Sequence, residues 1–199
     1  MLLTLTHGRG QNDDGARDDG PNGVAAFAAT VSQRSRWEAV DTASGTTALE
    51  LCEWEGPAGT APPSWDARGA DGQLRRLGTA ILDLTPGTPG TPHAADEARG
   101  LLVFGYEPGD GVLDEFHAWY DTEHCPRLSR VPGVLTVRRY QMVDDAGPRF
   151  MAIYGLTAPE VCSGEAWHEA ALTPWTRRMA SLAKQRVRDV YRRVGEGDR

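Results

Sequence analysis

The sequence predicts an α+β protein: two βαββαβ halves, joined by a linker, whose sheets pack against each other within one chain. Three observations predict it. Residues 100–195 read strand, helix, strand, strand, helix, strand, which is the ferredoxin-like order. Residues 1–84 repeat part of that order, with local echoes of the same sequence. Between them lies a linker over 85–99, opened by Thr85-Pro86-Gly87-Thr88-Pro89-Gly90-Thr91-Pro92 and stiffened by its prolines. A four-stranded sheet with helices on one face leaves its other face bare, and a second sheet buries it.

In the first half, Leu2 to Thr6 reads as a short strand, and Gly8 to Gly23 as a loop rich in Asp and Gly. Val24 to Val40 is extended, and Ser44-Gly45 is a turn. Thr46 to Trp54 alternates as a strand does. Trp65 to Gly78, with Leu74 and Leu77, reads as a helix, and Thr79 to Leu84 as a strand. In the second half, Leu101 to Tyr106 is a strand. A helix follows, with Asp110 as its candidate cap and Asp114 and Glu115 near its first turn. Val131-Pro132-Gly133 turns the chain. Val134 to Val143 and Phe150 to Leu156 are strands. Glu165 to Lys184 is a helix that Pro174 is expected to kink, and Val187 to Val194 closes the sheet.

The echoes run in order. Arg36-Trp37-Glu38-Ala39-Val40-Asp41 matches Arg139-Tyr140-Gln141-Met142-Val143-Asp144. Trp65 with Arg75-Arg76-Leu77 matches Trp167 with Arg177-Arg178-Met179, and Leu2-Leu3 matches Leu101-Leu102. These support a duplication with a degenerate first copy, an intramolecular pseudo-dimer. The first copy has Asp/Gly-rich loop where the second has its first helix.

Whole-chain properties narrow the function. The net charge is −7 and the pI about 5.2, against the basic face of a nucleic-acid binder. No apolar run is long enough to span a bilayer, and the N-terminus lacks a basic n-region, so it reads as a strand and not a signal peptide. Cys52, Cys125 and Cys162 have no CxxC spacing and read as free thiols of a cytoplasmic protein. Glu123-His124 is not HExxH, because Leu128 stands where the second His is needed. No Gly-rich phosphate loop or GxSxG signature is present, so no cofactor or metal is expected.

The second half is organised around its first helix. At about 100° per residue, Leu113, Phe116, Tyr120, His124 and Leu128 share one face, with Glu115, Ala118 and Thr122 opposite. Pro126 disfavours helix at Cys125 and is expected to end or kink it there. His124 therefore lies in an apolar stripe near the last turn. Terminal carbonyls favour its imidazolium and burial disfavours it, which makes it a candidate acid or base near neutral pH.

The run Phe116-His117-Ala118-Trp119-Tyr120-Asp121-Thr122-Glu123-His124-Cys125-Pro126-Arg127-Leu128, then Val131-Pro132-Gly133-Val134 and Arg139-Tyr140, resembles the EthD-like group of the dimeric α/β-barrel superfamily. The resemblance implies a pocket between the sheet and helices of one repeat. It also implies cofactor-free chemistry on aromatic or polyketide-like molecules, by a cyclase, decarboxylase (lyase), isomerase or monooxygenase; other members bind haem or have no known reaction. The fold alone does not choose among these.

The expected site is then His124 as proton donor or acceptor, with Tyr120 orienting it or protonating an enolate. Phe116, Trp119, His117 and Leu128 would contact a small hydrophobic or aromatic substrate. The other readings are a structural His124 bonded to a carbonyl, and a non-catalytic ligand- or haem-binding barrel. Glu123 is expected to pair with Arg127 or Arg130, and His168 to face solvent. Arg138, Arg139, Arg177 and Arg178 are expected mostly as surface charge, with one of them able to bind a substrate carboxylate. Pairing of chains into a homodimer of pseudo-dimers is a further expectation.

Overall fold

A computed structural model describes residues 2–9, 30–45, 47–55, 73–84, 97–143, 145 and 147–195. Its strands are β1 (Leu2–Arg9), β2 (Thr30–Thr42), β3 (Ala48–Glu55), β4 (Gln73–Asp83), β5 (Gly100–Pro108), β6 (Val134–Met142), β7 (Phe150–Leu156) and β8 (Ala183–Arg193). They close into a barrel in the order β1-β3-β2-β8-β5-β7-β6-β4. Outside it lie α1 (Leu113–Trp119), a π-helical turn (Tyr120–His124), α2 (Cys125–Leu128), a 3-10 turn (Pro159–Ser163), α3 (Glu165–Ala171) and α4 (Pro174–Ser181).

The second half has the ferredoxin-like α+β fold. Its sheet runs β8-β5-β7-β6 with every pair antiparallel. Period-two alternation gives each strand one residue per face. On β5, Leu101 and Val103 join Trp37, Leu49, Tyr140, Met142 and Tyr191 in an apolar cluster drawn from both halves. Leu102 and Tyr106 join Phe116, Trp119 and Trp167 in a second cluster under the helices. The face that helices leave bare is thus covered by the first half.

The first half keeps the strand order, β4-β1-β3-β2, but not the strand directions. β1 runs parallel to both β3 and β4, whereas β5 is antiparallel to both β7 and β8. β2 is antiparallel to β3, so β1 and β2 are antiparallel to each other. Antiparallel strands need no crossover along the sheet. The loop expected over Gly8 to Gly23 lies, from Gly10 on, outside the described residues.

Several expectations are corrected. Gln73 to Gly78 is strand, not helix: Leu74, Arg75 and Arg76 pair with Thr4, Leu5 and Thr6. Sheet pairing outweighs the weak helical signal of Leu74 and Leu77, three residues apart. Trp65 to Gly72 lies outside the described residues. Arg75-Arg76-Leu77 is therefore strand while Arg177-Arg178-Met179 is in α4, so that echo does not mark equivalent positions. The Arg36 and Arg139 segments do occupy corresponding strands, β2 and β6.

Asp110 does not cap α1. The helix starts after Gly111, which holds φ +74°, and Val112 is its uncapped N-cap; Asp110 instead pairs with Lys184 at 2.6 Å. Helical backbone also continues through Cys125 to Leu128. Pro126 has no N–H to give the Thr122 carbonyl. The chain widens ahead of it, and Cys125 N–H bonds to Tyr120 O in a π turn. At Pro174 the predicted single helix is two. Thr173 caps α4 by accepting from Thr176 N at 3.0 Å, and Pro174 takes the first helical position. Gly133 makes the expected turn at φ +91°.

Asp189 fastens the halves together. It is buried at 2 % exposure, and its carboxylate accepts from Thr42 Oγ1 and Ala43 N at 2.8 Å, and from Ser44 N at 3.0 Å and Oγ at 2.6 Å. These are the end of β2 and the turn after it. Asp189→Ala should cost about 3 kcal/mol, because several buried donors lose a charged acceptor. Urea unfolding checks this, and an unchanged midpoint would show that the turn holds without it.

Candidate active-site cavity

A cavity of about 180 Å³ lies between the second-half sheet and its helices. Strand alternation builds its floor: Leu102, Phe104 and Tyr106 of β5 lie beside Arg186 and Arg188 of β8, all on the helix side. Trp119, His124, Trp167 and Thr176 cover it, with Tyr154 of β7 deeper in. Leu172 and Arg186 are exposed at the rim. An engineered apolar cavity of about 150 Å³ holds benzene. This one is sized for one or two fused rings.

Of the residues expected at the site, His124 and Trp119 line the cavity. Phe116, Tyr120 and Leu128 do not; they are fully packed, at 0 %, 2 % and 0 % exposure. His117 lies elsewhere, with Nδ1 3.2 Å from Arg139 Nη2 and its ring edge-on to Phe150. Leu113 is exposed. The π turn explains the difference, because its extra residue breaks the uniform 100° projection and swings Trp119 and His124 to the same place. Their rings stand 4.4 Å apart. Tyr120 meets His124 edge-on at 5.3 Å and so braces the ring without facing the cavity.

A line of hydroxyls holds His124. Thr173 Oγ1 donates to Glu123 Oε1 at 2.5 Å. The Thr173 hydroxyl also lies 3.0 Å from Thr176 Oγ1, so its one proton is shared between Glu123 and Thr176. Thr176 Oγ1 then accepts from Trp119 Nε1 at 3.3 Å and faces His124 Nδ1 at 3.4 Å. In the tautomer that carries its proton on Nδ1, the imidazole donates to Thr176 Oγ1 and Nε2 is a bare lone pair. Nε2 has no hydrogen-bond partner among the described residues. Glu123 thus serves Thr173; it does not pair with Arg127, which donates to the Ala170 and Glu169 carbonyls, nor with Arg130.

Burial pulls His124 down to about 3, and the Arg139 guanidinium adds to the effect. The helix-end carbonyls do not offset this, and the ring is neutral at physiological pH instead of poised near neutrality. Burial also lowers His117, again helped by Arg139. Burial raises Tyr120 and Tyr154 far up, and Tyr106 and Cys125 to about 12, so Cys125 offers no thiolate at neutral pH.

Arg139 itself corrects an expectation. It is not at the surface but 1 % exposed, paired with Asp121, and 4.2 Å over the Tyr120 ring. Arg177 and Arg178 do lie outside, held by the Leu172 carbonyl and Glu115, whereas Arg138 is largely buried and pairs with Asp83. His168 faces solvent as expected. Sequence reasoning missed Tyr106, Thr176, Arg186 and Arg188. A signal existed for the arginines, which share parity with the buried Val190 and so lie on the covered face of β8.

No protein-family model matches the chain. No curated protein matches it either. Among solved structures it is similar to a major regulator of staphylococcal pathogenesis, at 8 % identity and TM-score 0.49, covering 82 % of this chain and 85 % of that one. It is also similar to an anthrone oxidase-like protein, at 13 % identity and TM-score 0.43, covering 59 % of this chain and 54 % of the other. The class the fold and site define is a ferredoxin-like α+β barrel with an aromatic-walled cavity in its second half. Among the described residues no helix is long and apolar enough to cross a membrane, and no cluster of three His, Cys, Asp or Glu could hold a metal ion.

The depressed histidine has a consequence for stability. Between the ordinary value of 6.5 and about 3, the unfolded chain binds a proton at His124 that the folded chain does not. Stability must then fall as pH drops through that window, by about 1.4 kcal/mol per pH unit from this group alone. Between pH 7.5 and 5 the native protein should lose about 2 kcal/mol more than His124→Gln. Parallel pH dependence of the two in urea titrations would mean that the imidazole is solvated.

Proposed function

We propose that this chain is a small cofactor-independent enzyme, working in the cytoplasm as a cyclase, decarboxylase (lyase) or isomerase on an aromatic or polyketide-like molecule. The observation that carries this reading is a neutral imidazole in an aromatic-walled cavity, with Nδ1 held by Thr176 and Nε2 unpartnered. Nε2 takes a proton from carbon beside a ligand carbonyl, giving an enolate and an imidazolium. The low-polarity surroundings that depress the free ring strengthen the attraction within that ion pair. The proton then returns to carbon or to a leaving oxygen. Tyr120 and Thr176 set the ring's orientation, and Trp119 forms part of the wall.

The reading places the second half with EthD-like proteins and treats the chain as a tandem duplication. The shared strand order of the halves supports duplication, as does the correspondence of β2 with β6. The reversed β1 marks the first copy as the diverged one.

One observation favours a second reading, that of a non-catalytic carrier. With His124 near 3 and the Tyr106 and Tyr154 phenols raised, the empty site presents no acid matched to neutral pH.

Deuterium exchange separates the two. 2-Tetralone is a bicyclic ketone with an acidic C–H beside its carbonyl. In D2O the protein should speed its exchange, followed by NMR, and His124→Gln should lower that rate by about 100-fold. The rate should stay level from pH 8 to 5, because a base near 3 remains deprotonated throughout. Quenching of Trp119 and Trp167 fluorescence by the ketone without faster exchange would establish the carrier.

A further inference from the structure

We infer that the cavity's ligand is a flat aromatic carboxylate, and that Arg186 at the rim binds its anionic group. The inference deepens the functional reading above, since it rests on the cavity being a ligand site.

The cavity wall is neutral apart from two guanidinium groups on one face of β8, Arg186 and Arg188. No carboxylate lines it, His124 carries no charge at neutral pH, and burial keeps Tyr106 and Tyr154 protonated. Arg188 is committed. Its Nη1 donates to Asp41 Oδ2 at 3.0 Å, and its Nη2 donates to Cys162 O at 3.2 Å and lies 3.3 Å from Cys162 Sγ. Asp41 therefore balances that charge.

Arg186 differs. Two residues earlier on the same strand face, it forms no hydrogen bond or ion pair among the described residues. Arg149, Arg178 and Arg192 each meet a carboxylate of this half, and Arg138 meets Asp83 of β4. The Arg186 charge is felt inside the cavity, because it opposes the effect of burial on the Tyr106 phenol beside it. An apolar hollow sized for one or two rings, with one uncommitted guanidinium at its mouth, fits a ring system ending in a planar anion. The guanidinium fork matches a carboxylate with two parallel hydrogen bonds, which a lysine would not provide. The rings would then lie along Phe104 and Tyr106, with Trp119 opposite.

The test uses two probes of one shape, 1-naphthoate and its uncharged isostere 1-naphthamide, with Trp119 and Trp167 as fluorescent reporters. The native protein should bind naphthoate about tenfold more tightly than naphthamide, and added salt should erode the difference. Arg186→Gln should abolish the preference and leave naphthamide affinity unchanged. An unshifted melting temperature is expected, because the residue is exposed. Equal binding of the two probes to the native protein overturns the inference while the ligand cavity stands. A preference surviving in Arg186→Gln also overturns it. If neither probe binds, the inference and the reading beneath it fail together.

Discussion

The arrangement around His124 depends on one buried cation. Arg139 of β6 is nearly inaccessible, and a guanidinium so placed needs a partner. Asp121 provides it from the π turn, and the Tyr120 ring lies 4.2 Å from the guanidinium carbon, close enough for a cation–π contact. The ion pair therefore pins the widened turn to the sheet. The same charge reinforces what burial does to both histidines, so neither is an imidazolium at neutral pH. The sheet thus sets both the position of the catalytic candidate and its protonation.

The two proline-governed breaks form the cavity. Pro126 forces the widened turn that brings Trp119 and His124 together, and Pro174 splits the last helix at Thr173. Thr173 and Thr176, three residues apart at the new helix start, then carry the hydroxyl line from Glu123 to the imidazole. A straight helix at either place would lose one end of that line. Pro174 was legible only as a kink, because the capping role of Thr173 shows itself once the break is known.

The second-half sheet was legible because β5 and β7 are short apolar runs bounded by turns, and Gly133 marks a turn. The direction of β1 was not, since a run of apolar and Thr residues reads the same for either orientation. Gln73 to Gly78 misled because two leucines three apart suit a helix. At the site, His124 and Trp119 could be found from the helix and its family-like motif. Phe116, Tyr120 and Leu128 were placed on the correct helix but aimed wrongly, because an ideal projection cannot anticipate a π turn. Arg139 was hidden by its charge, which makes solvent the default expectation. The cavity floor was hidden because β5 and β8 are far apart in sequence and meet only through pairing.

β8 shows why the first half can differ in strand direction from the second without disturbing the cavity. Its two faces do different work. Asp189 and Tyr191 face the cluster shared with the first half, and Arg186 and Arg188 face the cavity. Among the described residues, every residue lining the cavity comes from the second half. The first half reaches that lining at Arg188, where Asp41 holds the guanidinium and Ala43 N donates to the carbonyl at 3.2 Å. A reversed β1, with no need of a crossover helix, changes the far side of the barrel only. What the site requires of the first half is a sheet to cover the shared apolar face, and a β2 that delivers Asp41 and the turn held by Asp189.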